Sequence, residues 1–256
     1  MPRFKDQAIC IRDLDWSETS QVVVLLTREH GKVRGIAKGS KRQSPSSLAR
    51  FSGGIELLTA GQVLATTRPS SELANITEWD LQRDHFPLRR HLRAQRLAMY
   101  AADLCNALLA DEDPHPRAFG LLEALLERLC SPPSEASAKR DGSAGAAALL
   151  AFQWGLLEDG GYRPELRRDV RQGGELGAQS AYSFDPVAGG LTTQKGLTDW
   201  RVRSATVELL RRVGEGQATD DASAEDLDRA NRLLCVYLRA ILDKELPTMG
   251  LVLSPG

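Results

Sequence analysis

The spacing of hydrophobic and polar positions changes character near residue 87. Before it, short β-branched or alternating runs are separated by glycine and polar turns, which is the pattern of strands. Gln7–Ile11 (QAICI) reads as a short strand, and Glu18–Thr27 (ETSQVVVLLT) has the β-branched richness of a buried one. Glu29–Lys32 supplies a turn, Val33–Lys38 (VRGIAK) returns apolar-polar-apolar, and Gly39–Ser47 (GSKRQSPSS) is a loop by composition. Phe51–Thr59, Gln62–Thr67 and Leu73–Trp79 read as further strands, with Gly53-Gly54 as a bulge and Ala60-Gly61 as a turn. Short strands joined by glycine-containing turns predict a small closed barrel, for which the five-stranded OB-fold is the natural candidate.

From Pro87 onward Leu88, Leu92, Leu97, Ala101, Leu104 and Leu108 recur at close to the helical period of about 3.6 residues, with arginines on the other faces. Asp111–Pro114 stops that helix, and Pro116–Cys130 opens the next with proline in its first turn. Ser131–Gly145 (SPPSEASAKRDGSAG) is too poor in apolar residues to pack and predicts a mobile loop. Ala146–Asp159 is a third helix, ended by Gly160-Gly161. Residues 162–197 lack a sustained period, with a short hairpin expected around Tyr182-Ser183-Phe184. Helices are expected over Thr198–Arg212 and, with Ser223 as N-cap and Asp226 three residues on, to Leu246. The fold class is therefore α+β: an N-terminal OB barrel over residues 1–80 and a helical domain over 81–256, with residues 131–145 as its mobile loop.

Composition adds limits. At 42% hydrophobic and 26% charged, the chain fits an ordinary globular protein that needs no disulfide staples. Cys10, Cys105, Cys130 and Cys235 stand far apart with no CxxC spacing, which points to buried thiols in a reducing cytosol. No apolar run approaches the roughly 20 residues of a membrane span, and the first residues lack the apolar core of a secretory signal. A net charge of −1 conceals a segregation. Arg28–Arg50 holds seven basic residues against Glu29, a net of +6, and Gln82–Arg96 holds five arginines against Asp84, a net of +4. From Leu97 on, 17 basic residues face 24 acidic ones, a net of −7. Local field, not total charge, attracts a polyanion.

Catalytic signatures are missing from the sequence: it holds no GxxxxGK[ST], GxGxxG, HExxH or GxSxG, and Gly35–Gly39 (GIAKG) lacks phosphate-loop spacing. Asp111, Glu112, Asp113 and His115 place four potential ligands in five residues, but a solvated inter-helix loop is the better reading. His30, His85 and His91 suit surface or packing roles. No enzyme activity, metal or cofactor is expected. The basic segments are the feature that carries chemistry. Lys32, Arg34, Ile36 and Lys38 alternate along one strand, so several cations could share one barrel face, and Lys41 and Arg42 continue into the loop. The candidate DNA contacts are Arg28, Lys32, Arg34, Lys38, Lys41, Arg42 and Arg50, with a second patch at Arg89, Arg90 and Arg93. Cations that neutralise phosphates release condensed counterions, giving sequence-independent, salt-sensitive binding. Phe4, Phe51 and Trp79 are weighed as base-stacking groups, with core packing the stronger reading for each. The rival readings are an OB-fold RNA-binding factor, a protein-interaction adaptor, and an enzyme using the Asp111–His115 cluster.

Val22–Gly39 (VVVLLTREHGKVRGIAKG), followed by Ser40-Lys41-Arg42, closely resembles the signature of the RecO family, and Leu48–Phe51 continues it. Leu156–Leu166 (LLEDGGYRPEL), Phe184–Leu191 (FDPVAGGL) and Ala230–Leu246 resemble later elements of that family, in order. The resemblance implies an OB-fold and a helical domain, binding of single- and double-stranded DNA, and nucleotide-independent annealing. It implies cooperation with RecR to load RecA onto strands coated by single-strand-binding protein, whose acidic tail docks on the helical domain of some relatives. Arg117, Arg128 and Arg163 are candidate cations for that tail. The setting implied is the bacterial cytoplasm, in association with the nucleoid. Many relatives carry a four-cysteine zinc site around the last glycine pair. Here those places read Arg168–Gly173 and Thr192–Gly196, without one thiolate, so a zinc-free segment held by packing and hydrogen bonds is expected. Arg167, Arg168 and Arg171 remain there to supply charge.

Overall fold

A computed structural model of the chain describes residues 3–68, 71–131, 143–219 and 221–253. It divides into two compact units, Met1–Cys130 and Ser131–Gly256.

In the first unit, β1 (Arg3–Asp15), β2 (Gln21–Thr27), β3 (Lys32–Ala37), β4 (Ala60–Arg68) and β5 (Ser71–Arg83) close into a barrel in the order β1-β2-β3-β5-β4. Neighbours are antiparallel except β3 and β5, which run parallel. This is the OB barrel that the strand pattern predicts. Ala8, Cys10, Val23, Leu25, Val33, Ala37, Val63, Ile76 and Trp79 fill its interior. A bulge between Cys10 and Arg12 shifts which residues of β1 point outward.

The stretch Phe51–Thr59 is not a strand. A short helix, α1 (Pro45–Phe51), precedes it, N-capped by Ser44, whose Oγ accepts from the Ser47 N–H. Ser52, Gly53, Gly54 and Leu58 all have positive φ, which turns the chain instead of extending it. Phe51 and Ile55 alternate because both plug the barrel, and the Gln21 amide holds the Ile55 N–H and carbonyl at 3.1 and 3.0 Å. The periodicity reported burial correctly and backbone wrongly.

After a 3-10 turn at Phe86–Arg90, α2 (Leu92–Leu108) packs on β1 and α3 (Pro116–Cys130) on β2. The helical pattern thus begins four residues later than Leu88 suggested, and Leu88 is buried within the turn. The loop between α2 and α3 joins the barrel: the Glu112 N–H donates to the Lys32 carbonyl at 3.0 Å. Gly31, at φ +69°, faces that loop so closely that a Cβ would lie 2.2 Å from the Asp113 carbonyl oxygen. Gly31→Ala is expected to destabilise this unit by about 3 kcal/mol, through a forced shift of backbone and a strained φ. Gly120→Ala, on an exposed turn of α3 where the added Cβ meets nothing, should instead raise stability by about 0.5–1 kcal/mol. Urea midpoints of the two variants check both signs.

In the second unit, α4 (Ser143–Asp159), α5 (Ser204–Gly214) and α6 (Ala224–Leu242) pack together, and α7 (Gly250–Leu253) packs on α6. Of the loop expected over residues 131–145, most lies outside the described residues, and from Ser143 the chain is already helical. The expected hairpin is present and larger: β6 (Ala181–Asp185), β7 (Gly190–Thr192) and β8 (Trp200–Arg203) form a sheet ordered β7-β6-β8. β8 takes residues expected to open a helix, so α5 starts at Ser204. Ser223 caps α6 as its sequence predicts, accepting from the Asp226 N–H at 3.1 Å. Inside the bundle, Gln153 donates to Asn231 Oδ1 at 2.7 Å and Asn231 donates to the Ala146 and Leu227 carbonyls.

Candidate nucleic-acid interface

Residues two apart on a strand share a face, so Lys32, Arg34 and Ile36 of β3 point away from the barrel interior, and Lys38 follows, exposed, in the turn just past the strand's end. One end of that row is covered. Where α2 and α3 pack, the outward residues Ile9 and Leu26 are fully buried. Lys32, paired with Leu26 across the sheet, is buried with them. Its ammonium donates to the Asn106 carbonyl at 2.7 Å and lies 3.1 Å from Asp111. Arg34, next along, is half exposed with Nε 3.1 Å from the same Asp111. Asp111 is thereby turned toward two cations, and Asp113 toward His115 at 3.4 Å. Among the described residues no three His, Cys, Asp or Glu side chains gather as a metal site would need.

Past the helices the row is open. Lys38 and Arg42 are exposed, and among the described residues neither has an ion-pair partner. With Trp16, Ser17, Ser20, Ile36 and Gly39 they line a groove of about 360 Å³ that no carboxylate enters. The other predicted cations are more committed. Lys41 pairs with Asp15, and Arg28 with Glu123 at 3.1 Å while its guanidinium covers the Phe119 ring. Arg50 donates to the Thr77 carbonyl and lies over Phe51. Arg89 pairs with Glu56, and Arg90 sits over Phe86. Arg93, at the start of α2, is exposed and without an ion pair among the described residues.

The three aromatics weighed for stacking are core residues: Phe51 and Trp79 are buried, and Phe4 packs against the barrel core and stacks on His30. Beside the open end of the row, the aromatic that faces solvent is Trp16, 66% exposed in the turn between β1 and β2. Sequence reasoning passed over it. The signal was there, since a tryptophan preceded by Asp15 and followed by Ser17, Glu18 and Thr19 sits in a turn and not in a strand's apolar face. Arg12 was passed over as well; it is exposed on β1, on the row Arg12–Val24–Arg34 that the register draws across three strands.

Two family models cover nearly the whole chain: Recombination protein O N terminal matches residues 1–84, and Recombination protein O C terminal matches residues 89–249. The chain belongs to the RecO family. A relative from Myxococcus xanthus (strain DK1622), named DNA repair protein RecO, is 31% identical over 261 residues, covering 100% of this chain and 99% of its own. Relatives of the same name from Anaeromyxobacter sp. (strain Fw109-5) and Geobacter metallireducens are 35% and 37% identical, covering 74% and 50% of this chain and 68% and 50% of theirs.

At the place where the RecO resemblance implies zinc cysteines, this chain builds an ionic clamp. Asp169 Oδ1 accepts from the Arg171 and Gln172 N–H groups at 2.9 and 3.0 Å, and Oδ2 from the Thr193 N–H and hydroxyl, both at 2.8 Å. Burial opposes ionisation of Asp169, but those donors overcome it and hold the carboxyl well below the usual carboxylate range. Arg171 then bridges Asp185 and Asp199, with contacts of 2.7–2.9 Å to the two carboxylates. Asp199 also accepts from the Gly196 N–H at 2.7 Å. Both strands of the segment that four thiolates would tie are thus tied by carboxylates and one guanidinium. Arg167 pairs with Glu215. Burial pushes the Cys105 thiol up to about 12, the thiol of a small packed hydrophobe. No described helix is long and apolar enough to cross a membrane.

Proposed function

We propose that this chain is a DNA-binding recombination mediator of RecF-type repair. It anneals complementary strands and, with RecR, loads RecA onto strands coated by single-strand-binding protein. Family membership supports the repair role, and the open end of the β3 row supports the mode of binding. Annealing requires that the repulsion between two phosphate backbones fall while base edges stay free to pair. Cations that have no carboxylate partner of their own meet that need without a covalent step. Lys38 and Arg42 are the observation that carries this reading, because among the described residues their charge meets no carboxylate. Arg34 and Arg12 extend the surface along the sheet, and Lys32 lies outside it because its charge is buried against Asp111.

An annealing assay with two complementary labelled strands and no nucleotide tests the proposal. The protein should accelerate pairing, and its DNA affinity should fall about 20- to 40-fold between roughly 50 and 200 mM salt, the dependence of about three phosphate contacts. No acceleration at either salt concentration would remove annealing from the account.

A further inference from the structure

The register places an apolar row beside the cations. Leu14 pairs with Val22, and Val22 with Ile36, so the three share the outward face of β1, β2 and β3. None is fully buried, and Leu14 is 49% exposed. Trp16 stands at the end of this row, two residues beyond Leu14 in a turn that is itself held. The Trp16 N–H donates to the Ser20 carbonyl at 3.1 Å, the Gly39 N–H to Ser20 Oγ at 3.2 Å, and the Lys41 N–H to the Thr19 carbonyl at 3.1 Å. The turn that carries the indole is therefore fastened to the loop that carries Lys38 and Arg42.

From this arrangement we infer that Trp16 is a stacking platform for an unpaired base, so that the barrel face prefers single-stranded to duplex nucleic acid. The inference rests on the reading of that face as the DNA surface, and adds the strand type. A solvent-facing indole that extends a partly exposed apolar row makes a contiguous apolar patch, the kind of surface that marks a binding site. Its neighbours choose the occupant. The groove is lined by two cations and no carboxylate, which suits a polyanion bearing flat apolar faces. A single strand offers both, phosphates to Lys38 and Arg42 and a base to Trp16, the pairing of cations with aromatics that single-strand grooves use. In a duplex the faces of the bases are already stacked on one another, and only the phosphates remain. Glu18 lies in the same turn but does not line the groove.

Anisotropy titrations of a 15-nucleotide oligo-dT strand and of a matched duplex test this on the full chain, with Trp16→Ala, Trp16→Phe and the double variant Lys38→Glu/Arg42→Glu. Trp16→Ala should weaken the single strand about 5- to 100-fold and leave the duplex within about twofold. Trp16→Phe, which still stacks, should keep most of the affinity. The charge reversal should weaken both ligands. Equal losses on strand and duplex for Trp16→Ala would overturn the stacking role in favour of a merely structural one. No loss on either, with the charge reversal still effective, would overturn the stacking role and leave the DNA surface standing. Full binding by the charge-reversed protein would overturn the surface itself.

Discussion

Lys38→Glu/Arg42→Glu should lower affinity for DNA of any sequence by about 30-fold or more near 0.15 M salt, and should flatten the salt dependence by roughly two phosphates' worth of slope. Two observations set the size of the effect. Both side chains are exposed and spend no charge on a carboxylate among the described residues, so each is free to displace a counterion from a phosphate. Both line a groove that no acid enters, so two new carboxylates would be its only charges of that sign. The fold should be untouched, because neither residue contributes to the barrel interior. Reversal of Lys32 would be uninformative. That ammonium is buried beside Asp111, and a carboxylate in its place would put two like charges together in a desolvated site. A salt series on wild type and double variant reads both the affinity and the slope. Parallel slopes would remove these two residues from the interface.

Asp169→Ala should destabilise the second unit by about 3 kcal/mol, since it orphans three backbone N–H groups and the Thr193 hydroxyl in a buried place. Arg171→Ala should also destabilise it, by stranding Asp199, whose side chain is 1% exposed. The same carboxylates predict a pH dependence. Asp169 and Asp185 are held below the ordinary carboxylate range, in each case by hydrogen bonds that outweigh burial. Their unfolded forms bind protons near pH 4, so the stabilisation is complete above that and is lost as pH falls toward the folded values. The unit should therefore be flat in stability from about pH 7 to 5 and weaken below about pH 4, and the variant should lose part of that acid sensitivity. Chelators should leave the wild-type melting temperature unchanged. A chelator-induced drop, or an Asp169→Ala protein as stable as wild type, would contradict the clamp.

The barrel was legible because its strands are short, β-branched and separated by glycine, a pattern that sheet burial imposes directly. Phe51–Thr59 was not, since two plugs four residues apart, Phe51 and Ile55, mimic alternation while Ser52, Gly53, Gly54 and Leu58 turn the backbone. The helix α1 escaped notice because its serines and proline have the composition of a loop, although Ser44-Pro45 is a helix start. For the site, alternation put Lys32, Arg34 and Ile36 on one face of β3, while Lys38 lies in the turn just past the strand. It could not tell that α2 and α3 cover one end, which buries Lys32 and leaves Lys38 open, because that depends on packing between segments distant in sequence. Trp16 and Arg12 were missed for a related reason. Arg12 is joined to Arg34 only by the register through Val24, and although the local sequence puts Trp16 in a turn, its place beside Ile36 and Lys38 depends on the fold. The clamp of Asp169, Arg171, Asp185 and Asp199 likewise joins two loops and the end of β6 and has no signature in any of them.

Hydrogen exchange on the full chain, with and without a saturating single-stranded oligonucleotide at low salt, tests the central claim most directly. Protection should rise over residues 12–22 and 34–42, the two segments that build the open face, and should vanish when salt is raised. Protection confined to the second unit, with those segments exchanging as in the free protein, would contradict it.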